Sequence, residues 1–497
     1  MHSSIGVKPT REKVLGDIEG AVSLRLIASP RPHTAASKFR RVVLISEAVA
    51  DLLTITTSVL VSYAAYYFLA IGKHIYYSPR VVVGLAFSFS AVMVLMLDRA
   101  GAYGRGNSLL RVRETEQILR VSAQAFLVAL AVSFLSSYLF SRWFLLLCLL
   151  LVPLTLFIQK SILYMVVSAL HSRGYGTERV LIYGSGCTGR RVFSALARSP
   201  KLGLDPVAFV DDDPGKAGGV VFEMGYERRR SAPVLQGPVV EELLATHQID
   251  SVIIAIPSFS RERFLDTVDH AFAANVGVSF VPSHFLPSDP SVDYQNIDGV
   301  FLASFDKSAP RAGYEILKRL VDIMLSAALL VLGLPLFLAL GLLIRFDSPG
   351  PILFRQKRVG KGGKVFSMYK LRTMHPHAEP YEFSPKQSTD PRITRLGRFL
   401  RRTSLDELPQ LLNVVEGSMS LVGPRPEMPF IVDKYNDRHK RRLQVKPGLT
   451  GLWQLSGDRA FLIHENIEYD LYYIQYRNFF MDAAILLHTL VFAMRGI

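Results

Sequence analysis

Two adjacent carboxylates, Asp406 and Glu407, sit in the octapeptide Thr403-Ser404-Leu405-Asp406-Glu407-Leu408-Pro409-Gln410, at the head of an apolar run that reaches Val415. Ser404 followed three residues later by Glu407 has the spacing of a capping box. That predicts a helix whose first turn holds both acids, where free backbone N–H groups and the dipole favour negative charge. Pro409 lies one position deeper than a first-turn proline, so the helix is expected to start irregularly. Capping is the plain structural reading, because acids in first helical turns are common. Yet Arg392, Arg395, Arg398, Arg401 and Arg402 stand just upstream, which is more than a cap needs. Carboxylates among arginines suit chemistry on an anionic phosphoryl group: the cations bind its oxygens while a carboxylate attacks or holds a metal.

The elements that must position this pair belong to a long, apolar, basic chain. Its 497 residues predict two to four domains, and 49% hydrophobic residues with a mean hydropathy of +0.25 point to a membrane protein. The net charge is +15, but the basic residues crowd beside apolar segments instead of forming one cationic tract. Anionic lipid headgroups and phosphorylated substrates are therefore the expected partners, and nucleic acid is not. Two cysteines, Cys148 and Cys187, provide neither a disulfide framework nor a cysteine zinc site. Residues 1–42 form a basic leader without an apolar centre, so no cleaved signal peptide is expected.

Four apolar segments, at 43–71, 80–97, 117–139 and 143–168, are each near or above the length that crosses a bilayer and predict a four-helix transmembrane anchor over 43–170. Arg11, Lys13, Arg25, Arg31, Lys38, Arg40 and Arg41 precede the first, and Arg99, Arg105, Arg111, Arg113 and Arg120 lie in the second connection. The other two connections offer only Lys73 and Arg80, then Arg142. The positive-inside rule puts the leader, the second connection and everything after residue 170 in the cytoplasm. No acidic residue falls mid-segment except Asp51, near an end, which speaks against a proton or ion pathway.

Residues 171–305 predict an α/β domain. Arg179–Tyr183 reads as a buried strand, followed by Gly184-Ser-Gly186-Cys-Thr-Gly189 and a helix through Ala197; a strand over 207–210 ends at Asp211, Asp212 and Asp213. Strands at 251–256 and 277–281, with a helix at 238–247, complete an open parallel, Rossmann-like sheet. Gly184, Gly186, Gly189 and Asp211 have the spacing of a dinucleotide site, with the acid placed for a ribose hydroxyl. Such turns also persist in domains that only pack, so NAD(P) there is the lesser expectation. Tyr314-Glu-Ile-Leu-Lys318 has the Tyr-x-x-x-Lys spacing of short-chain dehydrogenases, but it opens an apolar segment, where Lys318 is expected to snorkel to headgroups.

That segment, Leu320–Ile344, is long enough to span, yet both flanks are basic: Lys307, Arg311, Lys318 and Arg319 before it, Arg345, Arg355, Lys357, Arg358, Lys361 and Lys364 after it. Flanks that both obey the positive-inside rule lie on one side. With Gly333-Leu334-Pro335 as a breaker, the expectation is a re-entrant helix, helix–break–helix, over 318–345. A fifth spanning helix is the alternative.

Beyond 346 the motifs are dense: Phe354-Arg-Gln-Lys-Arg-Val-Gly360, Phe366-Ser-Met-Tyr-Lys-Leu-Arg-Thr-Met374, the Asp406-Glu407 segment, Ser420-Leu-Val-Gly-Pro-Arg425-Pro-Glu427, Lys446-Pro-Gly-Leu-Thr-Gly-Leu-Trp-Gln454 and Glu468-Tyr-Asp-Leu-Tyr-Tyr473. In this order they resemble the bacterial sugar transferases, monotopic polyprenyl-phosphate hexose-1-phosphate transferases. The anchor and the α/β domain ahead of them resemble the large form of that family. The resemblance implies a mainly α cytoplasmic catalytic domain over 306–497 that moves hexose 1-phosphate from a UDP-sugar, glucose or galactose, to undecaprenyl phosphate and releases UMP. It implies Asp406 as nucleophile through a covalent phosphosugar intermediate, Mg²⁺ held by Glu407 and Asp406, and Arg425 as a clamp between Pro424 and Pro426. Lys370, Arg372 and Arg401 are the further phosphate contacts expected. Two departures stand out: Leu334-Pro335 replaces the family's Ser-Pro, and Gly457-Asp458-Arg459 replaces its Gly-Arg, which bears on the role of Arg459. The residues leave two other readings open, a membrane-anchored NAD-dependent nucleotide-sugar dehydratase or epimerase and a non-enzymatic polysaccharide-export scaffold. Phe479–Met494 reads as an interfacial helix, and the middle domain as the surface for a homodimer.

Overall fold

The computed structural model describes residues 34–69, 77–103, 111–135, 141–197, 202–224, 229–256, 260–281, 291–297, 300–306, 312–376, 390–455 and 467–494. Most of the leader, Lys73, Arg105, Lys307, Arg311, Arg459 and Arg495 lie outside these residues. The chain divides into two compact units, Met1–Leu109 with Val121–Pro287, and Leu110–Arg120 with Ser288–Ile497.

The first unit holds the long helices α1 (Thr34–Phe68), α2 (Pro79–Arg99), most of α3 (Arg111–Leu135) and α4 (Arg142–Ser172). With α8 of the second unit they make five helices, among the described residues, long and apolar enough to cross a membrane. Where α1 meets α4, Lys160 bonds both Glu47, at 2.6 Å, and Asp51, at 2.7 Å, and Tyr103 donates to Asp51 at 2.8 Å. Sequence reading passed over Glu47 and Lys160. Glu47 and Asp51 are one turn apart on α1, and Lys160 closes the pair from a helix more than a hundred residues away, so each is charged only in company.

The same unit carries a six-stranded sheet in the order β3-β4-β2-β1-β5-β6, formed by β1 (Glu178–Tyr183), β2 (Leu204–Asp211), β3 (Val220–Met224), β4 (Arg229–Gln236), β5 (Ser251–Ile254) and β6 (Gly277–Phe280). All neighbouring pairs are parallel except β3 with β4, so the sheet is mixed where a parallel one was expected. Val180, Leu181, Ile182 and Tyr183 fill both faces of β1, the apolar run that a buried central strand requires. Helices α5 (Cys187–Ala197), α6 (Glu241–Thr246) and α7 (Arg261–Ala273) accompany the sheet.

In the second unit, hairpin β7 (Ser291–Ile297) and β8 (Val300–Asp306) precedes α8 (Ala312–Asp347), a helix of 36 residues. It continues through Gly333-Leu334-Pro335 without the expected break. A proline removes one backbone hydrogen bond and crowds the carbonyl four residues back, which one apolar helix of this length absorbs. Next come hairpin β9 (Leu353–Val359) and β10 (Val365–Leu371), α9 (Arg395–Arg402), α10 (Gln410–Glu416), the parallel pair β11 (Ser420–Val422) and β12 (Gly448–Thr450), α11 (Glu468–Tyr476) and α12 (Phe479–Met494). Leu411, Val414, Met419, Leu421, Leu452, Met481, Ala484 and Ile485 form the core. Through Met481, Ala484 and Ile485, α12 buries one face in this core.

Close approach decides one residue of the glycine turn. A Cβ at Gly189 would fall 1.8 Å from the Gly184 carbonyl oxygen, whereas one at Gly186 would meet nothing within 4 Å. Gly189→Ala is therefore expected to destabilise the sheet domain by about 1–3 kcal/mol, and Gly186→Ala by less than about 0.5 kcal/mol. Limited proteolysis of the two purified variants measures the difference; equal resistance would contradict the packing.

Candidate active site

Helix α8 fixes the two segments that converge on the carboxylate pair. Arg319 donates to the carbonyls of Val414, at 2.6 Å, and Val415, at 2.9 Å, so it satisfies the free C-terminal oxygens of α10. One turn on, buried Asp322 accepts from the Ser420 hydroxyl at 2.7 Å and the Leu421 amide at 3.2 Å, which pins β11 just ahead of Arg425. Across the unit, fully buried Asn413 of α10 donates to the Ser367 carbonyl at 2.8 Å and accepts from the Tyr369 amide at 3.0 Å. That sets the position of β10 and hence of Lys370. Between β11 and β12 the backbones touch, and a Cβ at Gly423 would lie 2.5 Å from the Lys446 carbonyl.

Asp406 and Glu407 occupy a short 3-10 turn, Leu405–Glu407, and α10 starts only after Pro409. The irregular start expected from Pro409 is present. The capping box is not: Ser404 takes a left-handed φ of 56° and its side chain caps nothing. A residue in that conformation turns its hydroxyl away from the amides three residues on, so the acids are released from a capping role. Glu407 Oε1 instead receives Lys370 Nζ and Arg425 Nη2, each at 2.8 Å, and Arg425 Nη1 stands 3.5 Å from Oε2. Burial pushes this carboxyl up, but Arg425 and Lys370 outweigh it and hold it well below the usual range. Asp406, only 8% exposed, accepts no hydrogen bond from the described residues. Burial and the neighbouring Glu407 charge raise its carboxyl to about 6, against the lowering pull of Lys370, Arg401 and Arg425. The dyad thus contains one locked anion and one carboxylate that is ionised near neutrality and free to react.

Sequence reasoning missed the layer that steadies Arg425. Buried Arg442 donates to the Arg425 carbonyl at 3.0 Å and the Tyr435 hydroxyl at 2.6 Å, and pairs with Asp470 at 2.7 Å; Tyr435 in turn donates to Glu427. Arg358 donates to the Pro426 carbonyl at 3.2 Å, and burial together with Arg425 lowers its guanidinium to about 10. Glu427 and Asp470 fell inside motifs quoted above, but their partners Tyr435 and Arg442 lie between those motifs and no spacing announces them.

The remaining residues divide. Arg401 donates to Thr373 Oγ1 at 2.9 Å and contributes favourable charge to Asp406, so it belongs to the site. Arg372 does not face the dyad: its Nη2 donates to the Ser348 carbonyl and hydroxyl, at 2.5 and 2.9 Å, which ties the end of α8 to the following turn. Lys318 does not snorkel. It meets Asp482 at 2.8 Å, with Tyr314 at 2.7 Å on the same oxygen and Tyr473 at 2.8 Å on the other. In the sheet domain, Asp211 accepts the Ser185 amide and hydroxyl at 2.8 and 2.7 Å and the Asp213 amide at 3.1 Å. Burial alone would raise this carboxyl; those donors and Lys216 bring it to about 2. Its oxygens are bound to its own loop, with Gly184 at a φ of 106° and Gly189 beneath.

The family model described as bacterial sugar transferase matches residues 313–496, and one described as a CoA-binding domain matches residues 98–282. The chain is 32% identical over 340 residues to a UDP-glucose:undecaprenyl-phosphate glucose-1-phosphate transferase of Xanthomonas campestris pv. campestris, covering 65% of this chain and 68% of that one. It is 45% identical over 188 residues to a protein of the same name from Caulobacter vibrioides, covering 36% and 70%. With the undecaprenyl-phosphate galactose phosphotransferase of Salmonella typhimurium it shares 31% identity over 412 residues, 76% of this chain and 80% of that one. This chain belongs to the bacterial sugar transferase family. As a bacterial sugar transferase it is an enzyme, and with its apolar helices it is a membrane protein.

Magnesium keeps several waters and takes one or two carboxylates, completing its shell with substrate phosphates. Among the described residues no cluster of three metal-ligating side chains occurs. The donor set here is Asp406, without a hydrogen bond, and Glu407 Oε2, held only at 3.5 Å. Two such oxygens fit an ion completed by phosphate and water.

A raised carboxyl stabilises the fold in its neutral form. That contribution is complete below the unfolded value of 3.8 and is lost as pH rises through about 6, a change of about 3 kcal/mol. Asp406→Asn should therefore melt higher than wild type at pH 8, with the gap closing toward pH 4. Thermal melts of both proteins at the two pH values measure it, and a less stable variant at pH 8 would return Asp406 to a structural role.

Proposed function

We propose that this bacterial sugar transferase moves hexose 1-phosphate from UDP-glucose or UDP-galactose to undecaprenyl phosphate, releasing UMP and starting surface-polysaccharide synthesis. The observation that carries the reading is the unpaired, buried Asp406 beside a Glu407 locked by Lys370 and Arg425. The names of the relatives supply the substrates.

In this reading an Asp406 carboxylate oxygen attacks the β-phosphorus of the UDP-sugar, the bond from that phosphorus to the UMP oxygen breaks, and UMP departs. An oxygen of undecaprenyl phosphate then attacks the same phosphorus, and the bond to Asp406 breaks to regenerate the carboxylate. One nucleophile lets two anionic substrates use one site in turn. Lys370, Arg425 and Arg401 bind the phosphoryl oxygens as charge shifts toward UMP. Asp406 and Glu407 would hold magnesium, which when bound supplies further neutralisation of phosphate charge.

The finer architecture belongs to the same proposal: a leader at 1–42, four spanning helices at 43–170, a Rossmann-like domain at 171–305 and a catalytic domain at 306–497 with re-entrant 318–345. The protein would lie in the inner membrane with leader and catalytic domain cytoplasmic. Basic flanks on both sides of α8 support re-entry, which the unbroken helix would make by bending at Pro335. In a Cys148→Ala/Cys187→Ser background, single cysteines at Glu262 and Lys361 should label equally with an impermeant thiol reagent; opposite labelling would make α8 a fifth span.

The dehydratase alternative loses its catalytic pair, since Tyr314 and Lys318 are both bound to Asp482. A covalent trap tests the transferase. Wild-type protein given radiolabelled UDP-glucose or UDP-galactose without undecaprenyl phosphate should retain label, and Asp406→Asn should retain none while turnover falls by about three orders of magnitude or more. Near-normal turnover in that variant would leave the protein without a nucleophile.

A further inference from the structure

A polar cleft of about 230 Å³ opens where α4 ends and the sheet domain begins, lined by His171, Ser172, Arg173, Asp205 and Arg230 among others. Its level relative to the apolar helices is fixed by neighbours. The Phe39 ring of α1 lies 5.8 Å from His171, Arg40 pairs with Glu178 at 2.9 Å, and the Glu178 amide donates to the Gly203 carbonyl on the cleft wall at 2.6 Å. Lys38 and Ser172 are the ends of two membrane-length helices that pack together here. The cleft therefore sits where those helices would leave the hydrocarbon.

Among the described residues the lining carries two arginines, Arg173 and Arg230, against one carboxylate, Asp205, which Arg230 approaches to 3.6 Å. The lining keeps a positive balance, with the hydroxyl of exposed Ser172 at its edge. We propose that this cleft binds the phosphate of an anionic phospholipid headgroup. Basic clefts at the cytoplasmic ends of membrane helices hold such groups. A soluble nucleotide fits less well. Sites for molecules of that size usually enclose about 300–1,000 Å³ with aromatic walls, and among the described residues no Phe, Tyr or Trp lines this cleft.

The test uses full-length protein in neutral detergent with mixed micelles of phosphatidylglycerol and phosphatidylcholine, read by native mass spectrometry. Wild type should retain a phosphatidylglycerol in preference to phosphatidylcholine. The double variant Arg173→Ala/Arg230→Ala should weaken that retention by about tenfold or more, the loss expected when charged hydrogen bonds go. Arg191→Ala, which removes one positive charge outside the cleft, should leave it unchanged. Should the double variant misfold, Ser172→Glu places a negative charge at the rim while sparing the Arg230–Asp205 pair, and it too should lose the lipid. Wild-type retention in a folded Ser172→Glu or double variant would overturn the site. Displacement of the lipid by equimolar inorganic phosphate or UMP would overturn its assignment to a headgroup.

Discussion

Glu407 is held between Lys370 and Arg425, and the rest of the catalytic unit is arranged to keep it there. Two neighbouring carboxylates in a half-buried turn would otherwise raise each other's proton affinity until one became neutral. The two cations resolve that competition in favour of Glu407. Asp406 then loses its proton near pH 6. At neutral pH it is an anion with no hydrogen bond to dull it, poised beside cations already oriented by its neighbour. Because the trio is only partly exposed, removing one cation would do more harm than breaking a surface pair.

Holding the trio requires three chain segments, on β10, on the turn before α10 and after β11, to arrive at one point. A single helix supplies most of that order. Arg319 and Asp322 are one turn apart on α8, and they fix the far end of α10 and the start of β11 respectively. Asn413 adds β10 by hydrogen-bonding its backbone from both sides of one amide. The helix is thus both long and apolar enough to cross a membrane and a ruler for the candidate site. Its Tyr314 and Lys318, joined to Asp482 and Tyr473, extend the same bracing to α11 and α12.

What was legible in the sequence follows from range. The Asp406-Glu407 pair, Lys370 and Arg425 were visible because short motifs carry them, and β1, β2, β5 and β6 of the sheet domain because their apolar runs are local; β3 and β4 were not foreseen. Contacts across long separations were not. Lys318 looked like a lipid-facing cation until its acid appeared 164 positions away. Arg372 looked like a phosphate ligand because the end of α8 that needs its donors lies in another motif. Glu47 and Lys160 were invisible for the same reason, since neither belongs in lipid alone. The capping box failed differently: the spacing was right, but the left-handed turn at Ser404 depends on where Leu405 must pack beside α9 and α8.

The glycine turn of the sheet domain separates two meanings that one motif carries. Gly189 lets α5 approach β1, and Asp211 takes the Ser185 amide and hydroxyl that the turn leaves free. Both features stabilise the turn with nothing bound. A dinucleotide would need the aspartate's oxygens for a ribose and the turn's amides for a pyrophosphate. Here the loop has satisfied one with the other, so binding would first have to break two hydrogen bonds to a carboxylate held at about 2. Packing accounts for the motif in this chain, and the chemistry proposed above rests with the carboxylate that has no such partner, Asp406.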